Sequence, residues 1–211
     1  MSIANISPIL PDAPDPTVID MAVEILRKGG IVVAPTETRY GLLACANDNR
    51  AIKCVYKVKD RSVDQPTAIF VDNVASMDVI GRMTPAARLL ATRYLPGPLT
   101  LVVKAVIDRG APLVVDGRIG LRVSPAPIVK KLLERTGFPL TATSANLSGR
   151  GDAGKVIEIA EMFGNNVDLY LDGGELFVPS STVVDCTGDT VRVLRDGAIP
   201  KTEIMSVLRG V

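Results

Sequence analysis

The sequence contains no histidine, no tryptophan and only three cysteines among its 211 residues. The absence of histidine excludes an imidazole general base, a Ser-His or Cys-His nucleophilic pair, and the commonest transition-metal ligand. Any chemistry must therefore depend on lysine, arginine, carboxylate, hydroxyl and backbone groups. The three cysteines are not spaced as CxxC, which favours a reducing compartment over a disulfide framework.

Long apolar runs and an excess of one charge are also missing. No stretch of about 18 apolar residues occurs, and the first residues lack a basic region followed by a sustained apolar run. We therefore expect a cytoplasmic protein with no membrane partner. Lysine and arginine total 24 against 23 acidic residues, a net charge of +1. Such a chain has no global field for nucleic acid, so any phosphate binding must be local.

Apolar residues make up 47% of the chain, which is enough to bury a sizeable core. Helix-type and strand-type patterns alternate along it. Ile19, Ala22, Val23 and Leu26 have helical spacing before a Gly-Gly pair, and a short apolar run follows at residues 31–34. The repeated alternation predicts an α/β fold with a twisted, mixed sheet flanked by helices. We expect one domain over residues 1–211, with an irregular N-terminal segment over residues 1–15.

Two cations lie on the predicted connection between a helix at 48–59 and a strand at 67–71. Lys59 and Arg61 are so close in sequence that they repel each other unless an anion lies between them. A polyphosphate would meet that need. The alternative is that both are ordinary solvated charges of a helix face and loop.

Small polar residues follow another predicted strand. Ser144-Ala145-Asn146 come after the strand at 140–143, and we expect them at the same sheet edge as the PTETRYG loop of residues 35–41 if the strands run parallel. Their hydroxyl and amide groups could contact phosphate oxygens, or they could simply form a turn. Arg122 and Arg195 each end an apolar run, where arginine can bind a carboxylate or phosphate or form a surface ion pair.

Taken together, seven ordered segments resemble the YrdC/TsaC family of threonylcarbamoyl-AMP synthases. They are PTETRYGL at 35–42, K-x-R at 59–61, LPGPLTLV at 95–102, IGLRV at 119–123, TATSANLSG at 141–149, PSSTVVD at 179–185 and VLRDGAI at 193–199. The resemblance runs from about Val18 to Ile199. It implies a YrdC-like domain in the form that lacks the extra C-terminal domain of some relatives.

The resemblance also implies a reaction. L-threonine, bicarbonate and ATP would give threonylcarbamoyl-AMP and pyrophosphate, the activated intermediate for N6-threonylcarbamoyladenosine (t6A) in tRNA. Magnesium would bridge ATP phosphates without metal ligands from the protein, and a threonylcarbamoyl-transferase complex would act downstream. The implied partners extend to tRNA or double-stranded RNA. Positioning and cationic stabilisation are the main needs of this chemistry, which a site without histidine can meet.

The family pattern implies roles for ten residues. ATP binding is implied for Lys59, Arg61, Ser144, Asn146 and Arg195. Threonine binding is implied for Thr36, Thr38, Arg122, Ala142 and Ser181. Lys59 and Arg61 would also be catalytic, and Arg122 would meet the threonine carboxylate.

Some residues depart from the family pattern. Arg39 and Phe70 stand where many members have valine and histidine, and Ser180 and Ser181 compete for one family serine. These departures affect the choice of acyl group, so a related carbamoyl-adenylating enzyme with another acyl group is one alternative. An RNA-binding module is an alternative of a different class. Its difficulty is the 4% aromatic content, which leaves little for base stacking.

Overall fold

The structure is a computed structural model that describes residues 4–106, 110, 112–149, 151 and 153–209. Helices and strands alternate along this part of the chain, which confirms the predicted α/β class. The helices are α1 Pro16–Arg27, α2 Asn49–Val58, α3 Val74–Ile80, α4 Pro85–Tyr94, α5 Pro127–Thr136, α6 Val156–Phe163 and α7 Lys201–Arg209. The strands are β1 Ile6–Pro8, β2 Val32–Pro35, β3 Tyr40–Leu43, β4 Ala68–Phe70, β5 Gly81–Arg82, β6 Leu99–Ala105, β7 Arg118–Arg122, β8 Leu140–Ser144, β9 Leu169–Asp172, β10 Thr182–Asp185 and β11 Arg192–Arg195.

The helices begin where short polar side chains can cap them. The Asp15 carboxylate accepts a hydrogen bond from the backbone N–H of Thr17, and Asp48 caps α2 in the same way. The Thr84 hydroxyl caps α4 by accepting from the Ala87 N–H. Each cap satisfies a backbone donor that the first helical turn leaves without a partner.

The strands form one mixed sheet in the order β1-β9-β2-β3-β8-β4-β7-β6-β10-β11, with β5 pairing to β6. β2 and β3 form an antiparallel hairpin, and β3 pairs antiparallel with β8. Consequently β2 and β8 point the same way although β3 lies between them. β6 pairs parallel with β10 and antiparallel with β7. The prediction of a mixed sheet is therefore confirmed.

Alternation along β6 separates a packed face of the sheet from an open one. Leu99, Leu101 and Val103 are completely buried in a core that α3, α4 and α7 cover. Thr100 and Val102 point to the opposite face and line a cavity. Successive side chains of a strand point to opposite faces, so one strand serves both the core and the cavity.

The remaining helices cover the other half of the sheet. α1 and α5 pack together on one side, with Leu26 and Leu132 fully buried between them and the strands. α2 and α6 cover the other side around Val55 and Ile159. Within the described ranges, no helix has the length and apolarity that a membrane crossing requires.

Three features of the fold differ from the sequence-based expectation. Tyr40 and Gly41, the last two residues of the expected loop, belong to β3, because the hairpin and β8 supply this short run with strand partners on both sides. α3 and β5 were not foreseen, since each is short. The expectation of an irregular segment over residues 1–15 is wrong at Ile6–Pro8, which pairs parallel with β9. Residues 1–3 lie outside the described part.

Candidate active site

The turn between β2 and β3 is organised by a threonine hydroxyl. Thr36 Oγ1 donates to the carbonyl oxygen of Arg39 at 2.7 Å and accepts from the backbone N–H groups of Thr38 and Arg39, both at 3.2 Å. The two threonine hydroxyl oxygens are 3.2 Å apart. These bonds close the hairpin without a glycine at its tip. They fix Thr36 and Thr38, which are both buried, on one face of the sheet.

Lys59 joins the end of α2 to the loop after β8. Its ammonium donates to the backbone carbonyl of Ser144, to the backbone carbonyl of Asn146 at 2.8 Å and to Asn146 Oδ1 at 3.2 Å. The residue is 1% exposed. The Ser148 N–H donates back to the Lys59 carbonyl at 3.0 Å. A buried cation is tolerated here because oxygen acceptors replace its water shell.

Arg61 lies two residues further on and is held by neutral oxygens. Its Nε donates to the Gln65 carbonyl at 3.1 Å, and its Nη2 donates to the Pro66 carbonyl at 2.9 Å. Nη1 is 3.5 Å from Thr143 Oγ1, and the guanidinium carbon lies 5.9 Å from the Tyr56 ring centroid. Among the described residues, Arg61 has no carboxylate within ion-pair distance. It is therefore an oriented cation that forms no ion pair with a described carboxylate.

Tyr56 packs against Arg61 and shares a hydrogen-bond acceptor with it. Its hydroxyl donates to the Gln65 carbonyl at 2.7 Å and lies 2.9 Å from Thr67 Oγ1. Burial is the main cause that raises the pKa of Tyr56, so the phenol stays neutral and keeps its donor at physiological pH. The connection that carries Arg61 is thus fixed at both ends.

Arg122 is paired inside the protein. Its Nη2 donates to Glu37 Oε1 and to Thr38 Oγ1, both at 2.7 Å, and the other carboxylate oxygen of Glu37 accepts from the Ser124 hydroxyl. The guanidinium carbon lies 5.2 Å from the Phe70 ring centroid. Arg122 Nε is buried and has no hydrogen-bond partner among the described residues. A carboxylate, a hydroxyl and an aromatic face therefore fix the orientation of this arginine.

Ser181 and Arg195 meet at the start of β10. Arg195 donates through Nε and Nη2 to the Ser181 carbonyl, at 3.1 and 2.7 Å, and through Nη2 to Ser181 Oγ at 3.0 Å. Ser181 Oγ is also 3.0 Å from Thr100 Oγ1. Ser181 is 3% exposed, whereas Ser180 is half-buried. Ser181 is thus the serine that the strands hold in place.

Gly197 allows the chain after β11 to approach this serine closely. A Cβ at Gly197 would lie 2.3 Å from the Ser180 carbonyl oxygen and 2.6 Å from the Ser181 carbonyl carbon. We expect Gly197→Ala to destabilise the protein by about 1–3 kcal/mol, because backbone atoms must move to admit the methyl group. Thermal melting tests this expectation. Gly188→Ala is the matched control, since nothing lies within 4 Å of a Cβ there, and equal melting temperatures of the two variants would contradict the argument.

The pieces described above surround a cavity of about 420 Å³ on the open face of the sheet. Alternate residues of neighbouring strands line it, among them Ala68 and Phe70 of β4 and Gly120 and Arg122 of β7. Eight of the ten predicted site residues line the same cavity: Thr36, Thr38, Arg61, Arg122, Ala142, Ser144, Ser181 and Arg195. The cavity brings Thr36 and Thr38 of the PTETRYG segment together with Ser144, and it extends across the face of the sheet to Ser181 and Arg195.

The other two predicted site residues are not part of the cavity wall. Lys59 and Asn146 are absent from the residues that line the described cavity. Asn146 Oδ1 accepts from Ser144 Oγ at 2.5 Å as well as from Lys59, so the pair holds Ser144 at the cavity surface. In this arrangement Lys59 affects the cavity indirectly, by holding the loop that begins at Ser144 in position. Direct contact of Lys59 or Asn146 with a ligand remains a prediction.

The arginines of the cavity differ in how the protein balances their charge. Arg118 lies 3.1 Å from an Asp116 carboxylate oxygen and 3.8 Å from one of Asp185. Arg122 has its carboxylate partner in Glu37 at 2.7 Å. Arg61, by contrast, contacts carbonyl and hydroxyl oxygens. Arg61 therefore differs from Arg118 and Arg122 in having no ion pair with a described carboxylate.

Sequence reasoning missed several residues of this site. It named the PTETRYG segment but gave no role to Glu37, although a carboxylate next to two buried threonines is a signal for a paired cation. It also missed Thr100 and Ser124, which hydrogen-bond to Ser181 and Glu37. Thr100 could have been found, because a threonine inside an apolar strand points away from the core residues on either side.

A model of the Sua5/YciO/YrdC family, described as telomere recombination, matches residues 24–197. The chain belongs to this family. The resemblance that the seven sequence segments carry is therefore confirmed. Two curated relatives named threonylcarbamoyl-AMP synthase, from Pyrococcus abyssi and Bacillus subtilis, are 35% and 33% identical over 90% of this chain. The chain spans 57% and 56% of their lengths.

Another member of the Sua5/YciO/YrdC family matches over nearly its whole length. The uncharacterised Escherichia coli protein YciO is 31% identical, over 90% of this chain and 93% of its own. The crystal structure of E. coli YciO has a TM-score of 0.87 at 29% identity, covering 96% of this chain and 99% of that one. P. abyssi Sua5 complexed with L-threonine has a TM-score of 0.89 at 33% identity, covering 96% and 60%. The mixed α/β fold is thus shared with both.

Proposed function

We propose that this protein is an L-threonylcarbamoyladenylate synthase. It would convert L-threonine, bicarbonate and ATP into threonylcarbamoyl-AMP and pyrophosphate for t6A modification of tRNA. The observation that carries the proposal is the meeting of Arg61, Ser144 and Arg122 in one cavity. The names of the relatives and the threonine complex of a Sua5 structure support the same assignment.

The ATP end of the cavity lies around Arg61 and Ser144. Arg61 is held by carbonyl oxygens and forms no ion pair with a described carboxylate, so its charge is suited to the triphosphate. Ser144 and Arg195 would add donors from β8 and β11. Lys59 would position the Ser144–Asn146 loop, and its own charge would raise the local positive potential. A hydrogen-bonded frame of this kind is pre-organised and needs little rearrangement when the phosphates arrive.

The threonine end lies around Thr36, Thr38, Arg122, Ala142 and Ser181. The threonine carboxylate would meet the cavity-facing side of Arg122, while the Thr36, Thr38 and Ser181 hydroxyls would bind polar groups of the substrate. Ala142 would leave room for the side chain. Phe70 contributes an apolar wall next to Arg122. A cavity of mixed apolar and hydroxyl character suits a small hydroxy amino acid.

The reaction has two balanced steps. The threonine amine attacks the bicarbonate carbon, so that a C–N bond forms and a C–O bond breaks. The released hydroxyl takes up a proton from the amine and leaves as water. An oxygen of the resulting carbamate then attacks the α-phosphorus of ATP, and the bond to pyrophosphate breaks. Negative charge collects on the leaving pyrophosphate, where Arg61 would stabilise it. The chain would otherwise act by holding the carbamate in line with the α-phosphorus.

Magnesium would accompany the ATP. The described residues contain no group of three or more cysteine, histidine, aspartate or glutamate side chains that could enclose an ion. Asp64 and Asp116 are the acidic residues that line the described cavity, and the Ser144 hydroxyl is a neutral oxygen donor. This sparse oxygen set fits an ion held mainly by phosphate oxygens. When bound, magnesium would neutralise phosphate charge.

An enzyme that uses another acyl group is the second candidate. Arg39 and Phe70, the two residues that depart from the family pattern, both line the cavity. The reaction would still produce a carbamoyl adenylate, with a different amine in place of threonine.

The test is pyrophosphate release from ATP and magnesium with bicarbonate and each amino acid in turn. We expect release with L-threonine that disappears when either threonine or bicarbonate is left out. Release with a different amine alone would favour the second candidate. No release with any amino acid, together with RNA binding that falls steeply with salt, would replace both candidates with the RNA-binding module.

A further inference from the structure

Glu37 controls the chemical character of Arg122 although it stands outside the cavity wall. The Glu37 side chain is 13% exposed, binds Arg122 Nη2 and Ser124, and is not among the residues that line the described cavity. Thr38 and Phe70 occupy other sides of the same guanidinium. The Glu37 carboxylate therefore balances the positive charge of Arg122 from outside the cavity wall.

The position of Glu37 also restricts the geometry of any contact with Arg122. A guanidinium has two edges that can bind an oxyanion with parallel N–H donors, and the Nη2 nitrogen belongs to both edges. Nη2 of Arg122 already donates to Glu37 and to Thr38. Nε is buried. Within the described part of the chain this leaves Nη1 for a ligand, so Arg122 offers a single-nitrogen contact instead of a bidentate one.

Charge and geometry both disfavour a phosphate at this end. Phosphate recognition benefits from a bidentate fork and from an unbalanced positive charge. Arg122 lacks both features, whereas Arg61 keeps its charge unbalanced by the described carboxylates. A singly charged carboxylate needs less compensation and can accept one N–H. The two ends of the cavity are thus matched to different anions.

We propose that Glu37 makes the Arg122 end of the cavity selective for a singly charged carboxylate over phosphates. It does so by balancing the guanidinium and by occupying the nitrogen that every bidentate contact requires. This inference rests on the proposed function, since it assumes that an amino acid binds at Arg122 while the triphosphate binds at Arg61. Without Glu37, phosphate groups would compete for the amino-acid end.

The experiment measures L-threonine binding by calorimetry with and without inorganic phosphate, at matched ionic strength so that screening is equal. In the wild type, phosphate should leave the threonine dissociation constant unchanged. In Glu37→Gln, a near-isosteric change, phosphate should raise the apparent constant by about tenfold, because an unbalanced cation now attracts it. Glu24→Gln removes the same charge at an exposed helical position and should behave as the wild type.

A second variant keeps the test decisive if Glu37→Gln folds poorly. Glu37→Asp retains the negative charge, so phosphate should raise its threonine dissociation constant far less than in Glu37→Gln. Competition by phosphate in the wild type, or equal phosphate sensitivity of both variants and the wild type, would overturn the inference. Absence of threonine binding to the wild type would instead overturn the amino-acid half of the proposed function, and this inference with it.

Discussion

Replacing Arg61 with alanine should lower the rate of pyrophosphate release by about 10²–10³-fold at saturating substrate concentrations. Arg61 lines the cavity, is oriented by two carbonyl oxygens and forms no ion pair with a described carboxylate. Its charge is therefore available where pyrophosphate leaves. Its two shorter hydrogen bonds join residues of one exposed connection and the contact with Thr143 is long, at 3.5 Å, so unfolding free energy should change by less than about 1 kcal/mol.

A surface arginine provides the control for this prediction. Arg88 of α4 forms an exposed ion pair with Asp78 of α3, so Arg88→Ala removes an equal charge far from the proposed site. The rate of this variant should match that of the wild type. A folded Arg61→Ala protein that keeps its rate within a few-fold would show that another group carries the phosphate charge. The proposed ATP end would then have to be relocated within the cavity.

Replacing Lys59 with methionine should damage both stability and activity. The residue is 1% exposed, and its ammonium satisfies the Ser144 carbonyl and two oxygens of Asn146. Methionine fills similar space but cannot donate to these oxygens, and only Asn146 Oδ1 keeps the Ser144 hydroxyl as a described donor, so we expect a loss of about 3 kcal/mol in unfolding free energy. The rate should fall with it, because Ser144 loses its support.

Lys57→Met is the matched control, since Lys57 is exposed and lies two residues earlier in the same helix. Its stability and rate should stay close to those of the wild type. The stability of Lys59→Met also distinguishes two roles for the lysine. If Lys59 served only as a ligand for phosphate, removing a buried charge would leave the protein as stable or more stable while the rate fell. Denaturant unfolding measures the difference.

The sequence was most informative where a local pattern decides the structure. α1 was predictable because its apolar residues have helical spacing between Pro16 and a Gly-Gly exit. β6 was predictable because a β-branched and leucine-rich run follows a Pro-Gly-Pro break. The cavity residues of β4, β7 and β8 follow from such patterns once the strands are aligned. Local periodicity therefore accounts for most elements and for which side chains share a face.

Contacts between residues far apart in the chain could not be predicted from the sequence. The acceptors of Lys59 lie 85 and 87 residues away along the chain, so the sequence shows a cation next to Arg61 but not its burial. Glu37 likewise meets its partners Arg122 and Ser124 at separations of 85 and 87 residues. β3 was interpreted as loop because a threonine hydroxyl closes its hairpin, where a glycine would have been a clearer signal.

The consequence for function is a division of the predicted site. The resemblance gave Lys59 and Arg61 the same role in ATP binding and assigned the threonine carboxylate to Arg122. The geometry separates Lys59, which is enclosed by loop oxygens, from Arg61, which faces the cavity. It also gives Arg122 an internal carboxylate partner. These differences leave the predicted residues in one region but change what each can offer a ligand.

The most direct test of the central claim is the origin of the carbon in the product. The protein is incubated with ATP, magnesium, L-threonine and ¹³C-labelled bicarbonate, and the adenylate is analysed by mass spectrometry. We expect threonylcarbamoyl-AMP that carries the label in its carbamoyl carbon and forms only when threonine is present. An adenylate without the label, or one in which threonine is joined directly to AMP, would contradict the account.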